Sequence, residues 1–485
     1  MTAEAVATPA AAPPAGLNAR AASWAVGAVV VVTVVVLLVC LVPALRHWMI
    51  LPVTVCGVLV APDVIDWARK RLDVFDPQAV VALMGMHFFF LAPILHVVMD
   101  YWPRYEPPAD DWFVALGRMA AVNVAGLLVY RAVLARPDPR PRISLDRVAR
   151  GRVLLVGSLV LLAGFAAFVA FTAKFGGIGG YVDYMTSADR DLTGYGITVV
   201  ASSSFPFVAF MMALVLWPDV FRRARWLLVL LLLAFVAIQL LAGGLRGSRA
   251  GVIWPLLIAI GMCHLLVAPV RRRVLLGSLV AILGFMYVYG FYKSVGRDAI
   301  DIFTGMRTVD ELSTETGRDL PVLLLGDLGR ADIQALTLER VHADTAQLRY
   351  GATYLGDIAA LLPGELVVGI PDKVHAGTDM LYGTGSYDAG NRSSRVYGLT
   401  GEAMLNFGVV GAVVAFLPFA WLVRWSRACH RRAQGPDGSL GLRVLAAVLP
   451  MALVVTLTSD LDNVIWFLAN HVAVVVAVVL LARRR

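Results

Sequence analysis

The chain is short of charge, of cysteine and of lysine, and each shortage excludes something. Charged residues make up 16% of its 485 positions and hydrophobic residues 59%. Soluble domains sit nearer ~25% charged and ~45–50% apolar. A water-soluble globule is therefore excluded, and a polytopic membrane protein is expected. Cys40, Cys56 and Cys263 lie in apolar runs and Cys429 in a basic loop. None falls in the long polar segment, which excludes a disulfide framework and a cysteine metal site. Lysine occurs only at Lys70, Lys174, Lys293 and Lys373; beside abundant Ala and Val, this reads as a GC-rich bacterial coding bias. There is no GxxxxGK[ST] and no HExxH, so a P-loop ATPase is excluded and no metal or other cofactor is expected. His87, His96, His264 and His471 are scattered in apolar runs, and His342 and His375 in the polar segment are lone histidines. The net charge of +8 does not point to nucleic acid, because the arginines cluster between apolar runs, as positive-inside topology requires.

What is present in quantity is long apolar runs. Twelve are long enough to span a bilayer: 23–45, 48–62, 78–99, 112–134, 153–172, 197–217, 226–244, 250–268, 274–293, 402–423, 443–459 and 464–481. The second is short and interrupted by proline, but the charge alternation requires it. Arginine-rich connections (69–71, 136–152, 222–225, 271–273, 424–432 and 483–485) fall on one side, which is read as cytoplasmic. Both termini are then inside a bacterial cytoplasmic membrane. The expected fold is all-α and polytopic: a disordered cytoplasmic tail at 1–22, one transmembrane domain over 23–485, and a large extracytoplasmic loop at 294–401. Within that loop AIDIFTGM, VDELSTETG and RADIQALTLERVHAD have the pattern of short amphipathic helices. A loop this long is either functional or disordered, and this one is not of low complexity.

Against that map four arginines stand out on the opposite side. Arg246 and Arg249 sit in LAGGLRGSRAG, a tight break between two spans, and Arg392 and Arg395 sit in GNRSSRVYGLTGEAMLNFG, where the loop re-enters the membrane. An arginine at bilayer depth costs roughly 2.5–3.5 kcal/mol on insertion scales. An i, i+3 spacing puts both members of a pair on one face if the segment is helical. Guanidinium forks match phosphate oxygens, so a diphosphate is the ligand that fits best; snorkelling interface residues are the alternative. Glu402 follows the second pair, as a carboxylate at the mouth of the next span or a cap of its helix N-terminus. Asp460, Asp462 and Asn463 read as an ordinary turn, with a base or acceptor-binding role as the alternative. Asp189, Arg190 and Asp191 lie among Tyr181, Tyr184 and Tyr195, a mixture that suits sugar or headgroup contacts as well as an interface belt. Lys293 and Arg297 read as snorkelling residues, with membership of the anion site as the alternative.

At these residues the chain resembles the bacterial O-antigen polymerase-type family of oligosaccharide repeat-unit polymerases. LDVFDP, GGIGGYVDYMTSADR, LRGSRAGVIWPLL and YGATYLGDIAALLPG running into GEAMLNFGVVGAVV carry the resemblance in order, from about 62 to 423. The resemblance implies an all-helical, glycosyltransferase-like membrane fold. It implies transfer of a growing chain from undecaprenyl diphosphate to a new lipid-linked repeat, without nucleotide or metal. A chain-length regulator protein would be a partner. Arg190, Arg246, Arg249, Arg392 and Arg395 would contact diphosphate or sugar, and Glu402 matches the acidic position of GE-x-x-x-NFG. An O-antigen ligase-type transferase with the same donor is the alternative enzyme. The first outside connection is only Arg46–His47, so the acidic first loop of dolichol-phosphate-type transferases is missing. A lipid or polysaccharide transporter is the non-enzyme alternative, though no pseudo-repeated halves are visible.

Overall fold

The structure is a computed structural model that describes residues 17–103, 108, 110–139, 148–187, 196–246, 249–343, 347–359, 373–391, 393, 395–436 and 438–483. Eleven of its helices are long and apolar enough to cross a membrane, and a bent pair brings the total to twelve. The protein is an all-α multi-pass membrane protein. The spans are α1 (Leu17–Leu41), α2 (Ile50–Ala68), α3 (Pro77–Val98), α4 (Trp112–Leu134), α5 (Arg150–Ala173), α7 (Gly196–Leu216), α8 (Arg225–Ala242), α9 (Ala250–Val267) and α10 (Arg272–Val295). A short helix, α6 (Ile178–Thr186), separates α5 from α7. The long loop then supplies α11 (Val309–Thr316), α12 (Ala331–His342), α13 (Ala352–Ala359) and α14 (Lys373–Tyr382). The bent pair α15 (Gly398–Val414) and α16 (Phe416–Gln434), then α17 (Leu440–Thr458) and α18 (Leu461–Leu481), complete the bundle. Helix α1 begins at Leu17, several residues before the expected start of the first span; the tail up to residue 16 lies outside the described residues.

Local sequence explains where the helices begin. Asp76 accepts from the Gln78 and Ala79 amides, with Pro77 in the first helical position, an N-cap and proline combination that starts α3 inside LDVFDP. Asp73 of the same motif meets His264 at 3.0 Å and His430 at 3.2 Å, tying α9 and α16 together. Asp63 of α2 and Arg131 of α4 pair at 2.7 Å, with Gln78 donating to Asp63, so these polar groups are satisfied inside the bundle as apolar surroundings demand. One core joins α7, α9, α17 and α18; another joins α1 to α4 with α12 and α15.

Two features of the loop end of the bundle differ from a simple cap. Helix α12 has an amphipathic sequence, yet every residue from Ala331 to Leu338 is buried. It is wedged against α4 and α15: Asp332 pairs with Arg395, Gln334 donates to the Tyr397 carbonyl, and Thr337 donates to the Ile333 carbonyl of its own helix. Helix α15 is interrupted at Phe407 and Gly408, where Gly408 takes φ +64°, a left-handed conformation that favours glycine. The freed carbonyls of Leu405 and Asn406 accept from the Arg349 and Tyr350 amides, which satisfies the break. The chain then bends by 56° into α16.

Candidate active site

The break in α15 places Glu402 where three segments of the chain meet. Its carboxylate is 3% exposed and accepts from the Leu461 amide at 2.8 Å and the Thr353 hydroxyl at 3.1 Å. Asn406, one turn on, donates to Thr353 and to the Glu402 carbonyl. Glu402 therefore does not cap its own helix. It caps the first turn of α18, while Asp460, which immediately precedes α18, accepts from the Tyr397 and Gly398 amides at 2.7 and 2.8 Å and caps α15. The two helix N-termini exchange caps, and each carboxylate sits against a positive helix end.

Three more carboxylates and one lysine complete this cluster. Asp357 of α13 lies beside Glu402, close enough for the two carboxyl groups to interact, and accepts from the Asp462 amide at 3.1 Å. Two carboxyl groups in contact share a proton. Burial first, and then the neighbouring Asp462, push Asp357 up to about 6 against the stabilising contact with Glu402. Lys373 lies between Asp460 at 2.9 Å and Asp462 at 2.8 Å. Burial would lower the lysine, but the two aspartates outweigh it and hold its ammonium above its ordinary range. Asp460 is fully buried, and burial raises it against the opposing pull of Lys373. Among the described residues no set of His, Cys, Asp and Glu could hold a metal; here the central cation is an ammonium.

Glu402 also opens onto a cavity of about 580 Å³. Tyr354 stands beside it at the polar head, and Phe407, Val410, Val414, Pro418 and Val464 line the apolar remainder. Carboxyl chemistry thus sits at the end of a greasy groove between the bent pair and the last two spans.

On the other side of Tyr397 lies a group of arginines around Gly326–Arg330. Arg249 grips Asp327 through both nitrogens at 2.5 and 2.6 Å, and Arg318 reaches the same carboxylate at 3.2 Å. Burial would raise Asp327, but Arg249 and then Arg318 bring it below its usual range. Arg395 pairs with the fully buried Asp332 at 2.5 Å and contacts the Gly326 carbonyl. Arg330 donates to the carbonyls of Gly326, Asp327 and Gly329. Burial and the like charge of Arg395 pull it down to about 10. Four guanidiniums thus share two carboxylates and a strip of backbone, an excess of positive charge suited to phosphate oxygens.

The expected pairs are rearranged. Arg246 ends a 3-10 turn, Gly244–Arg246, whereas Arg249 is the residue before α9. The two arginines therefore do not share a described helix, which the i, i+3 argument for a shared face requires. Arg246 donates to the Val199 carbonyl at 3.0 Å and the Ser202 hydroxyl at 2.7 Å and lies over the Phe171 ring. Among the described residues, none of these contacts is with Asp327, Asp332 or the Gly326 carbonyl. Arg392 and Arg190 lie outside the described residues, as do Asp189, Asp191 and Tyr195; the side chains of Lys293 and Arg297 are not described either. His375 stacks on Tyr387 and faces Asp379. Sequence reasoning missed Thr353, Asp357, Lys373, Asn406, Asp327, Arg318 and Arg330, and preferred an ordinary turn for Asp460 and Asp462. Lys373 carried a signal: a rare lysine in a chain that otherwise uses arginine. No family model, curated protein or solved structure matches the chain.

Proposed function

We propose that the protein is a metal-independent glycosyltransferase that joins polyprenyl-diphosphate-linked oligosaccharide repeats into a polysaccharide. The observation that carries this reading is the Glu402–Asp357 carboxyl pair at the head of an apolar cavity, with the arginine group around Asp327 next to it along the Arg395–Glu402 segment. In this reading the isoprenyl chain lies along the cavity. The diphosphate meets Arg249, Arg318 and Arg395, which exchange part of their contact with Asp327 and Asp332 for phosphate oxygens. The acceptor hydroxyl attacks the anomeric carbon of the donor sugar. The bond from that carbon to the diphosphate oxygen breaks, and the departing charge is stabilised by the guanidiniums. The hydroxyl proton passes to the ionised member of the carboxyl pair. The protein then belongs in a bacterial cytoplasmic membrane, with 294–401 outside and both termini inside.

The test uses the full chain in nanodiscs with purified lipid-linked repeats as the only sugar source. Parent protein should produce a ladder of lengthening products. Glu402→Gln should bind the donor but form product ~100-fold more slowly or worse, the scale expected for a lost general base. Full-rate elongation by Glu402→Gln would remove the assignment. Transfer to an added lipid acceptor without any ladder would favour the ligase-type alternative.

A further inference from the structure

Two turns along α12 from Asp332, toward the end of the helix, lies a second recess, of about 320 Å³, within the usual range for small-ligand sites. It is lined by Trp48, Arg118, Ala121, Leu338, Glu339 and His342. Two polar groups there lack hydrogen-bond partners among the described residues. Arg118, in the second turn of α4, is exposed and forms no hydrogen bond or ion pair with any described residue. The Oε2 atom of Glu339 is buried without a hydrogen-bond partner. Burial first, and then the nearby Asp110, hold the Glu339 carboxyl above its usual range, with Arg118 opposing.

The surroundings say what would occupy the recess. Trp48, Leu51 and Val55 form an exposed stripe along α2 and its entry, and Ala121 and Leu128 continue one along α4. Such stripes on spanning helices face lipid. Arg118 stands at the head of the α4 stripe, about 9 Å along the helix from Trp112 at 1.5 Å per residue. That is interface depth, where tryptophan is also at home. Trp48 is fixed rather than loose: its ring lies on Gly117, where even a Cβ would come within 2.7 Å.

We propose that this recess binds the headgroup of a membrane phospholipid in the leaflet on the loop side. Arg118 would hold the phosphate diester, and Glu339 would accept from an ammonium or hydroxyl donor on the headgroup. The acyl chains would run down the α2–α4 stripe. Because α12 also carries Asp332, the partner of Arg395, the bound lipid would brace the helix that positions the arginine group.

The experiment is native mass spectrometry of full-length protein released from phosphatidylcholine nanodiscs doped with phosphatidylethanolamine. The two lipids share the phosphate, but only the second offers N–H donors. Parent protein should retain phosphatidylethanolamine over phosphatidylcholine by roughly tenfold, the worth of one charge-assisted hydrogen bond. Glu339→Gln should erase that preference while retaining lipid. Arg118→Ala, at an exposed position that leaves the core intact, should lose both adducts. Equal retention of the two lipids by the parent, or unchanged adducts in Arg118→Ala, would overturn the proposal and leave Arg118 as a snorkelling residue.

Discussion

Replacing Lys373 with methionine should damage the protein more than any other single change in the loop. Lys373 is a buried ammonium held 2.9 Å from Asp460 and 2.8 Å from Asp462. At an effective dielectric of 20, each contact is worth about 6 kcal/mol before desolvation is subtracted. Methionine keeps most of the volume and removes the charge, leaving the fully buried Asp460 carboxylate without its ion-pair partner. Breaking a buried pair in this way costs about 3–5 kcal/mol. In a chain of this length that corresponds to a fall of roughly 5 °C in Tm, extending the scaling for smaller domains. Asp460→Asn should rescue it, because the amide oxygen still accepts from Tyr397 and Gly398 while the stranded charge is gone. The measurement is thermal unfolding of the detergent-purified single and double variants. A Lys373→Met protein as stable as its parent, or a double variant no better than the single, would show that the lysine does not hold this cluster together.

The Asp357–Glu402 pair should give two opposite pH trends. Asp357 is raised to about 6, so folding favours its protonated form. Stability should be greatest at acid pH and decline as pH rises from the ordinary carboxylate range through about 6. Turnover, which needs an ionised member of the pair, should instead rise through the same window, and Asp357→Asn should move that limb of the rate profile. Arg246→Ala should cost about 1–3 kcal/mol of stability by stranding the Ser202 and Val199 acceptors; Arg249→Ala should spare stability more than turnover, and thermal melts beside elongation rates separate the two. A cysteine at Ser386 should react with an impermeant maleimide in intact cells; reaction only after permeabilisation would invert the topology.

The spans were legible because bilayer thickness imposes a length and a composition that no other context imposes. Eleven spans overlap the apolar runs, but the broken one runs on through Arg424–Arg432, expected to be a connection, as part of a helix that ends at Gln434. The break at Phe407–Gly408 was not legible, since an apolar run containing glycine reads the same whether the helix continues or turns. Helix α12 misled for a related reason. Polar residues on a helix ordinarily mean water, but Asp332 and Gln334, on different sides of α12, are turned onto Arg395 and the Tyr397 carbonyl.

The site itself was half legible, and the reason lies in how its charges are compensated. Excess arginine on the wrong side of a positive-inside map stands out against a rule, so Arg249 and Arg395 could be found by their anomaly. Their carboxylate partners could not. Asp327, Asp332 and Asp357 sit in a loop where acidic residues are expected, and only folding shows that each is buried against a specific cation or carboxyl. The exchange of caps joins Asp460 to the Gly398 and Tyr397 amides, 62 and 63 residues away, and Glu402 to the Leu461 amide, 59 residues away, beyond the reach of any local capping pattern. The exchange also fixes the register between the broken helix and the final span. A substrate that pulled the Glu402 carboxyl toward the cavity would have to loosen the α18 cap. Proton acceptance at Glu402 and the position of the last span are therefore mechanically linked, and both depend on Lys373 holding Asp460 in place beneath α15.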